Sequence, residues 1–470
     1  MNGWMRRKSV SLDGFAAHQR LAPTLSWWHL IPLGVGAIVG TGIYALTGVG
    51  ANLAGPAVIL SFLIAGAVCA CAALAYAEVS TMIPTSGSAY TYSYVVIGEV
   101  VAWVVGWSLL LEYSVGSSAV AVGWAGYAVG FLNAVGVHLP MAMTTGVMSG
   151  GFLNVPAMVI VFAVAGMLLV GTRESATVNI VLVVIKIAAL VVFVAFAAPR
   201  FNPANFHPFM PYGFPAHKVG GVKHGVMAAA AVIFFAFYGF DTLSTAAEET
   251  KNPGRDLPIG ILGSMIVCTI LYVAIAACGV GAVYYTRFAR SAEPLAEILR
   301  DIGHGGAAVV IGAAAVIAIP TVILAFLYGQ SRIFFVMARD GLLPQRLARV
   351  NARTKVPVTM TLITAVAVAL LAGLAPLDQI ASMANAGTLT AFIAVSICML
   401  ILRRRAPDAP RIYRTPMAWV IGPAAIAGCA YLFWSLETRT RLLFAVWNLA
   451  GLAFYAVWRW RKREDQPVAD

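Results

Sequence analysis

Charge is what this chain lacks most: Asp, Glu, Lys and Arg make up 11% of its 470 residues, where soluble domains carry about 25%. An aqueous fold would be short of polar surface, which excludes an ordinary soluble domain. Cysteine is scarce too. The six present (Cys69, Cys71, Cys268, Cys278, Cys398, Cys429) all fall inside apolar segments. Cys69 and Cys71 are too close for a C-x-x-C pair, and no His cluster accompanies them, so they read as small buried core residues. No metal site and no cofactor is expected. Residues 1–23 are polar and basic and lack the apolar core and small-residue cleavage site of a signal peptide; they read as a cytoplasmic tail. Acid is outnumbered, 19 Asp and Glu against 31 Lys and Arg, for a net charge of +12. A nucleic-acid partner is still excluded, because the basic residues sit in short loops and not on one amphipathic face.

What is abundant is hydrophobicity, 60% of residues with a mean hydropathy of +0.85. Apolar runs of about 20 residues recur, each long enough to cross a hydrocarbon core of roughly 30 Å. Twelve spans are expected: 27–51, 56–82, 99–131, 155–171, 175–198, 222–246, 258–285, 305–337, 357–374, 377–402, 415–436 and 441–459. Turn residues separate them, as in Pro84-Thr85-Ser86-Gly87, Asn252-Pro253-Gly254 and the run 403–410. An even number of spans puts both termini on one side. Of the 31 basic residues, 22 fall in segments on that side, eight on the other, and Lys186 lies within a span. That bias places both termini in the cytoplasm. The clusters at 332–355 and 403–414 read as topology determinants. The uncharged stretch 86–98 is expected along the inner membrane face as an amphipathic helix, and 201–223 as an external loop over the sixth span.

The first span reads Leu33-Gly34-Val35-Gly36-Ala37-Ile38-Val39-Gly40-Thr41-Gly42-Ile43-Tyr44. Each glycine costs a helix interior about 1 kcal/mol relative to alanine. Gly36 and Gly40 have the spacing of a helix-packing motif, but Gly34, Gly42, Gly48 and Gly50 crowd the same span beyond that need. Unwound backbone at membrane depth is tolerated only where it faces protein or a water-filled cavity. Five spans later, Phe234-Phe235-Ala236-Phe237-Tyr238-Gly239-Phe240-Asp241 places another mid-span glycine beside a polar residue. Interruptions at matching positions of two halves point to an inverted repeat, spans one to five against six to ten. Free N–H groups starting near Thr41 would meet a carboxylate, and unwound carbonyls near Phe235 and Tyr238 an ammonium. Such a site suits a zwitterionic amino acid.

Charges inside the membrane are functional by default. Lys186, in NIVLVVIKIAALVVFV, reads either as a structural tether bonded to carbonyls or as a proton carrier, since desolvation favours the neutral form of an amine. In the carrier reading it also occupies the place where a sodium-coupled protein would bind its cation. Glu112, in WSLLLEYSVGSS, could complete a proton relay, bind a cationic side chain or pin a neighbouring helix. Asp241 either caps the inner half-helix or takes part in coupling. Glu78, Glu248, Glu249 and Asp256 are expected to form gate or loop ion pairs. Ile319, Thr321 and Asn385 are candidates for the side-chain pocket.

Four stretches in order resemble the amino acid–polyamine–organocation superfamily, and within it the bacterial cationic-amino-acid-transporter-like branch. They are GVGAIVGTGIYALTG, PTSGSAYTYSYVVIGE, FFAFYGFDTLSTAAEETKNPGRDLP and GQSRIFFVMARDGLLP, spread over a resemblance covering roughly residues 25–435. The resemblance implies an all-α membrane protein with twelve transmembrane helices and the LeuT-like five-plus-five inverted repeat. The corresponding division is an N-terminal tail (1–25), a first repeat (26–200), a second repeat (201–402), two further helices (403–460) and a C-terminal tail (461–470). It implies backbone at Ile38, Gly40, Thr41 and Gly42 for the substrate carboxylate, and at Phe235, Ala236 and Tyr238, with Gly239 at the break, for the amine. Phe235 would be the aromatic gate, and Lys186 and Glu112 the proton-coupling pair. Tyr238 stands where the family often has a smaller aliphatic residue.

The expected activity is proton-coupled symport of an L-amino acid across the inner membrane by alternating access. An exchanger or a basic-amino-acid permease is the alternative, and a membrane nutrient sensor a remoter one. The expected partners are the L-amino acid, protons and membrane lipid; oligomeric state is not legible. An enzyme is not expected: there is no H-E-x-x-H, no pair of catalytic carboxylates at helical spacing and no G-x-S-x-G in a strand context.

Overall fold

A computed structural model describes residues 25–83, 87–170, 176–245, 250–344 and 358–464. The tails, Pro84 to Ser86, Glu248, Glu249 and most of the 332–355 cluster lie outside the described residues.

Helix dominates wherever the apolar runs fall. In chain order the helices are α1 (Trp27–Ile38), α2 (Thr41–Tyr44), α3 (Leu46–Ala54), α4 (Val58–Met82), α5 (Ser88–Val96), α6 (Glu99–Ala134), α7 (Met141–Thr144), α8 (Val155–Val170) and α9 (Ala176–Ala197). They continue as α10 (Val226–Ile233), α11 (Thr242–Thr245), α12 (Pro253–Ala282), α13 (Pro294–Asp301), α14 (Gly305–Ala318), α15 (Pro320–Arg339), α16 (Val358–Leu374), α17 (Leu377–Arg405), α18 (Ala418–Ser435) and α19 (Thr438–Glu464). Among the described residues, nine helical stretches are long and apolar enough to cross a membrane. Three shorter apolar helices, Trp27–Ile38, Val155–Leu169 and Val358–Leu374, coincide with expected spans one, four and nine. The chain is a multi-pass membrane protein.

Its apolar surface is divided as a bilayer requires. Val184, Ile266, Ile270, Ile317 and Leu449 are exposed, while α10 is buried along its whole length. A helix buried on every side carries no amphipathic stripe; it belongs to the middle of the bundle. Around it pack α3, α4, α17 and α18. The long α6 runs beside α15, α16 and α17. Indole stacking fastens α19 to α6: Trp107 lies 4.8 Å from Trp447, and Trp103 Nε1 donates to Gly451 O at 2.9 Å.

Two expectations change shape here. Residues 201–223 do lie over the sixth span, as a 3₁₀ turn (Pro203–Phe206) and a two-stranded hairpin, β1 (His217–Val219) and β2 (Val222–His224). Its backbone is sewn to α10 by Val226 N donating to Gly213 O at 3.1 Å. The stretch 86–98, however, is not an amphipathic surface helix. Eight of the nine residues of α5 are buried, against α6 and α17. Part of the polarity that reads as a wet face is spent on internal partners: Tyr90 reaches Asp340 at 3.0 Å and Ser88 meets Ser244 at 3.1 Å.

Candidate functional site

The first break is short. α1 ends at Ile38, Val39 is extended (φ −76°, ψ 99°), Gly40 is more extended still (φ −150°, ψ −148°), and α2 starts at Thr41. Val39 N still bonds to Val35 O at 2.8 Å, and the first amide to bond back in α2 is Ile43, to Gly40 O at 3.2 Å. The amides of Thr41 and Gly42 are therefore at the start of a helix, where backbone donors have no intrahelical acceptor. The Thr41 hydroxyl turns away from the break and donates to Val120 O of α6 at 3.1 Å. Below the break, the last carbonyls of α1 are claimed by other helices: Lys186 Nζ donates to Gly36 O at 3.0 Å and Tyr272 Oη to Ile38 O at 3.0 Å. Ile38 O, expected at the substrate, is thus held by α12.

The second break is longer. α10 passes into a 3₁₀ turn (Phe234–Phe237), Tyr238 is extended (φ −77°, ψ 152°), and Gly239 has φ +119°. A side chain is strained at that φ, and a Cβ on Gly239 would also stand 2.8 Å from Ala37 O. On the other side, a Cβ on Gly42 would run into the backbone of Ala236. The two breaks therefore lie against each other, Gly42 on Ala236 and Gly239 on Ala37. The sequence-predicted residues Ile38, Gly40, Thr41, Gly42, Phe235, Ala236, Tyr238 and Gly239 are brought together in one buried place. Elsewhere on α6, the segment entering α13 packs closely: Ala292 lies against Gly126 and the Glu293 carboxylate against Gly130.

Lys186 is 1% exposed. Besides Gly36 O, its ammonium donates to Thr321 Oγ1 of α15 at 2.9 Å, while its own carbonyl accepts from Tyr44 Oη at 3.1 Å. One side chain on α9 thereby joins the end of α1, the start of α15 and, through the backbone, α2. Thr321, a candidate for the side-chain pocket, serves Lys186 instead. Ile319 is the joint between α14 and α15, placed by the break that Pro320 makes in the helical ladder.

Glu112 is completely buried on α6, close to Thr388 of α17, and among the described residues neither carboxylate oxygen has a hydrogen-bond partner. Gly387 of α17 admits it, since a Cβ there would stand 3.0 Å from Glu112 Cβ and 2.8 Å from Ser108 O. Next along α6, Tyr113 Oη donates to Asp241 Oδ2 at 3.0 Å, while Asp241 Oδ1 is unpartnered. The Asp241 carboxyl thus reaches α6; its backbone carbonyl is what serves the inner half-helix, accepting from Ser244 N at 3.0 Å.

Tyr238 is 2% exposed, and among the described residues its hydroxyl has no partner. Its ring lies 4.8 Å from that of Phe326 and 5.3 Å from that of Phe235, and its oxygen abuts Gly116, where a Cβ would collide with it. Three aromatic rings and a bare stretch of α6 bound the space beside the break.

Sequence reasoning missed three supports of this arrangement. Tyr272 caps α1. Asn385, a pocket candidate, caps α10 instead, its Nδ2 donating to Ala231 O at 2.7 Å and Val232 O at 3.0 Å. Cys69 Sγ donates to Phe237 O at 3.6 Å. The signal in each case is a lone polar atom on an apolar span, whose partner is 150 or more residues away.

Known proteins share this arrangement of sequence. A family model described as amino acid permease matches residues 25–455. The chain is 44% identical over 462 residues to the branched-chain amino acid permease BcaP of Bacillus subtilis, covering 97% of both. It is 39% identical to the methylthioribose transporter of the same organism, again over 97% of each chain. It is 36% identical to the vacuolar cationic amino acid transporter 4 of Arabidopsis thaliana, over 87% of this chain and 68% of that one. With the match spanning nearly the whole bundle and both broken helices, the chain belongs to the amino acid permease family, within the amino acid–polyamine–organocation superfamily.

Proposed function

We propose that this protein is a proton-coupled symporter of L-amino acids, working by alternating access in the inner membrane with both termini in the cytoplasm. The observation that carries the reading is the apposition of the two breaks, Gly42 on Ala236 and Gly239 on Ala37. It sets the free amides of α2 beside the unwound backbone at Tyr238. A donor cluster next to an acceptor cluster matches the carboxylate and ammonium of an amino acid core. The backbone at Gly40, Thr41 and Gly42 takes the carboxylate; Phe235, Ala236, Tyr238 and Gly239 take the amine and close over it.

Twelve crossings arranged as a five-plus-five inverted repeat (26–200 and 201–402), with two helices added, supply the moving parts. Lys186 is the proton carrier. Protonated, its ammonium makes charge-assisted bonds to Gly36 O and Thr321 Oγ1, which are about twice as strong as neutral ones. Loss of the proton weakens the grip of α9 and α15 on α1, and α1 is free to swing. Glu112, close to Asp241 and Thr388, is the second proton site.

The side chains taken are compact and aliphatic. Phe235, Tyr238 and Phe326 surround the space beside Gly116 with ring faces, and a branched-chain permease is 44% identical to this chain. Uptake of labelled leucine into proteoliposomes, with and without an inward proton gradient, tests the proposal. Accumulation only with the gradient is expected. Uptake that ignores the gradient removes the coupling, and uptake that requires an internal amino acid makes the protein an exchanger.

A further inference from the structure

A groove of about 510 Å³ lies on the Lys- and Arg-rich side, between the first turns of α12 and the segment joining α17 to α18. Gly254, Pro258, Ile259, Leu262 and Gly263 form its floor, Ile412 and Tyr413 its far wall, and among the described residues Arg255 is its only charged lining residue. The groove does not end in water. Leu262 is followed on the same face of α12 by Ile266 and Ile270, 60% and 67% exposed, so the floor runs on as an apolar strip at the depth of the acyl chains.

The mouth carries Arg255. Arg414 directly follows Tyr413 of the far wall; both arginines are exposed, and neither side chain has a partner among the described residues. Asp256, Asp408 and Arg414 itself are not among the residues that line the groove. The far wall is held rigid from behind: Arg411 donates to Glu78 Oε1 at 3.2 Å and Thr415 N to Glu78 Oε2 at 2.8 Å, on either side of Ile412, Tyr413 and Arg414.

We infer that this groove is a binding site for an anionic phospholipid, with an acyl chain along Ile259, Leu262 and Ile266 and the headgroup phosphate on Arg255 and Arg414. An apolar trough opening towards hydrocarbon fits a chain, and unpaired guanidinium groups at the interfacial level fit a phosphate. A soluble anion would use the arginines and leave the trough empty. A protein partner would have to displace lipid from a strip in which it gains no hydrophobic free energy.

The test is lipid binding by the full chain in a neutral detergent, read as the rise in thermal midpoint during titration with phosphatidylglycerol. The expected result is a saturable rise with phosphatidylglycerol and none with phosphatidylcholine or with glycerol 3-phosphate. Apparent affinity should fall about fivefold for Arg255→Gln and again for Arg414→Gln. Both positions are exposed, so these variants fold. Ile259→Trp, which fills the trough, should abolish the phosphatidylglycerol effect with both arginines intact. Equal shifts with phosphatidylcholine, or unchanged affinity in the double arginine variant, overturn the site. A full effect from glycerol 3-phosphate replaces it with a simple anion site. Transport plays no part in the readout, so its outcome is separate from the symport proposal.

Discussion

Glu78 and Glu112 are both buried almost completely within transmembrane helices of this protein, and their surroundings are opposite. Glu78 on α4 receives Arg403 through Nε at 2.7 Å and Nη2 at 2.6 Å, Arg411 through Nε at 3.2 Å, and the amide of Thr415 at 2.8 Å. Glu112 on α6 has no hydrogen-bond partner among the described residues. The sequence reading separates the two only by depth: Glu78, near the end of its span, is expected to form ion pairs, as it does, while Glu112 is left open between a relay, a cation site and a helix pin. A buried charge is tolerable when it is paired and hydrogen-bonded, and otherwise very costly. Glu78 is therefore construction: it ties the end of α4 to α17 and the segment before α18. Glu112 has no structural return, and such groups persist where function needs them.

Removing a partner of Glu78 should have the largest effect on stability. Arg403→Ala leaves a carboxylate buried with fewer donors, at a cost of roughly 3–5 kcal/mol. Loss of most folded protein, seen as aggregation on size-exclusion chromatography in detergent, is expected. Arg403→Lys should recover only part, because a lysine cannot reproduce the two-point contact of Nε and Nη2. A fully folded Arg403→Ala would mean that the cluster contributes little, and the contrast between the two glutamates would collapse.

Glu112→Gln is expected to do the reverse. It removes charge without removing a hydrogen bond, so the thermal midpoint should hold or rise, while gradient-driven accumulation is lost and exchange of labelled for unlabelled substrate persists. A drop in midpoint comparable to that of Arg403→Ala would show that Glu112 is bonded in the native state. Lys186→Ala lies between the two. It removes the bonds to Gly36 O and Thr321 Oγ1 among others, for a loss of at least about 2–3 kcal/mol, and it should abolish accumulation altogether. Full retained accumulation would take Lys186 out of the mechanism.

The same contrast shows what was legible in the sequence. The helix positions were, because a bilayer demands long apolar runs and loops must break them. Both interruptions were, because glycines crowd Gly34 to Gly42 beyond what helix packing needs, and Gly239 falls mid-span beside Asp241. Lys186 and Glu112 were legible as unusual, though not in opposite ways. Pairing is a tertiary fact: the donors to Glu78 lie 325 to 337 residues away, and no local pattern marks them. For the same reason Asn385 and Thr321 read as pocket residues when they are a cap and a lysine partner. The burial of α5 was hidden because its hydroxyls look like a wet face until Asp340 and Ser244 are placed against them.

The smallest effect should come from the unpartnered hydroxyl on Tyr238. By the reasoning applied to Glu112, a polar atom with no native bond can be deleted at no structural cost, so Tyr238→Phe should leave the thermal midpoint within about 0.5 kcal/mol of wild type. Its effect belongs to the substrate. If the hydroxyl only fills volume beside Gly116, Tyr238→Phe should take up leucine with unchanged KM, and Tyr238→Ile, which opens the space, should admit longer side chains. If it bonds the substrate, KM should rise about tenfold, the equivalent of one neutral hydrogen bond. Competition by a panel of amino acids against labelled leucine separates the two. A large loss of stability in Tyr238→Phe would overturn both, because it would show that the hydroxyl is paired after all.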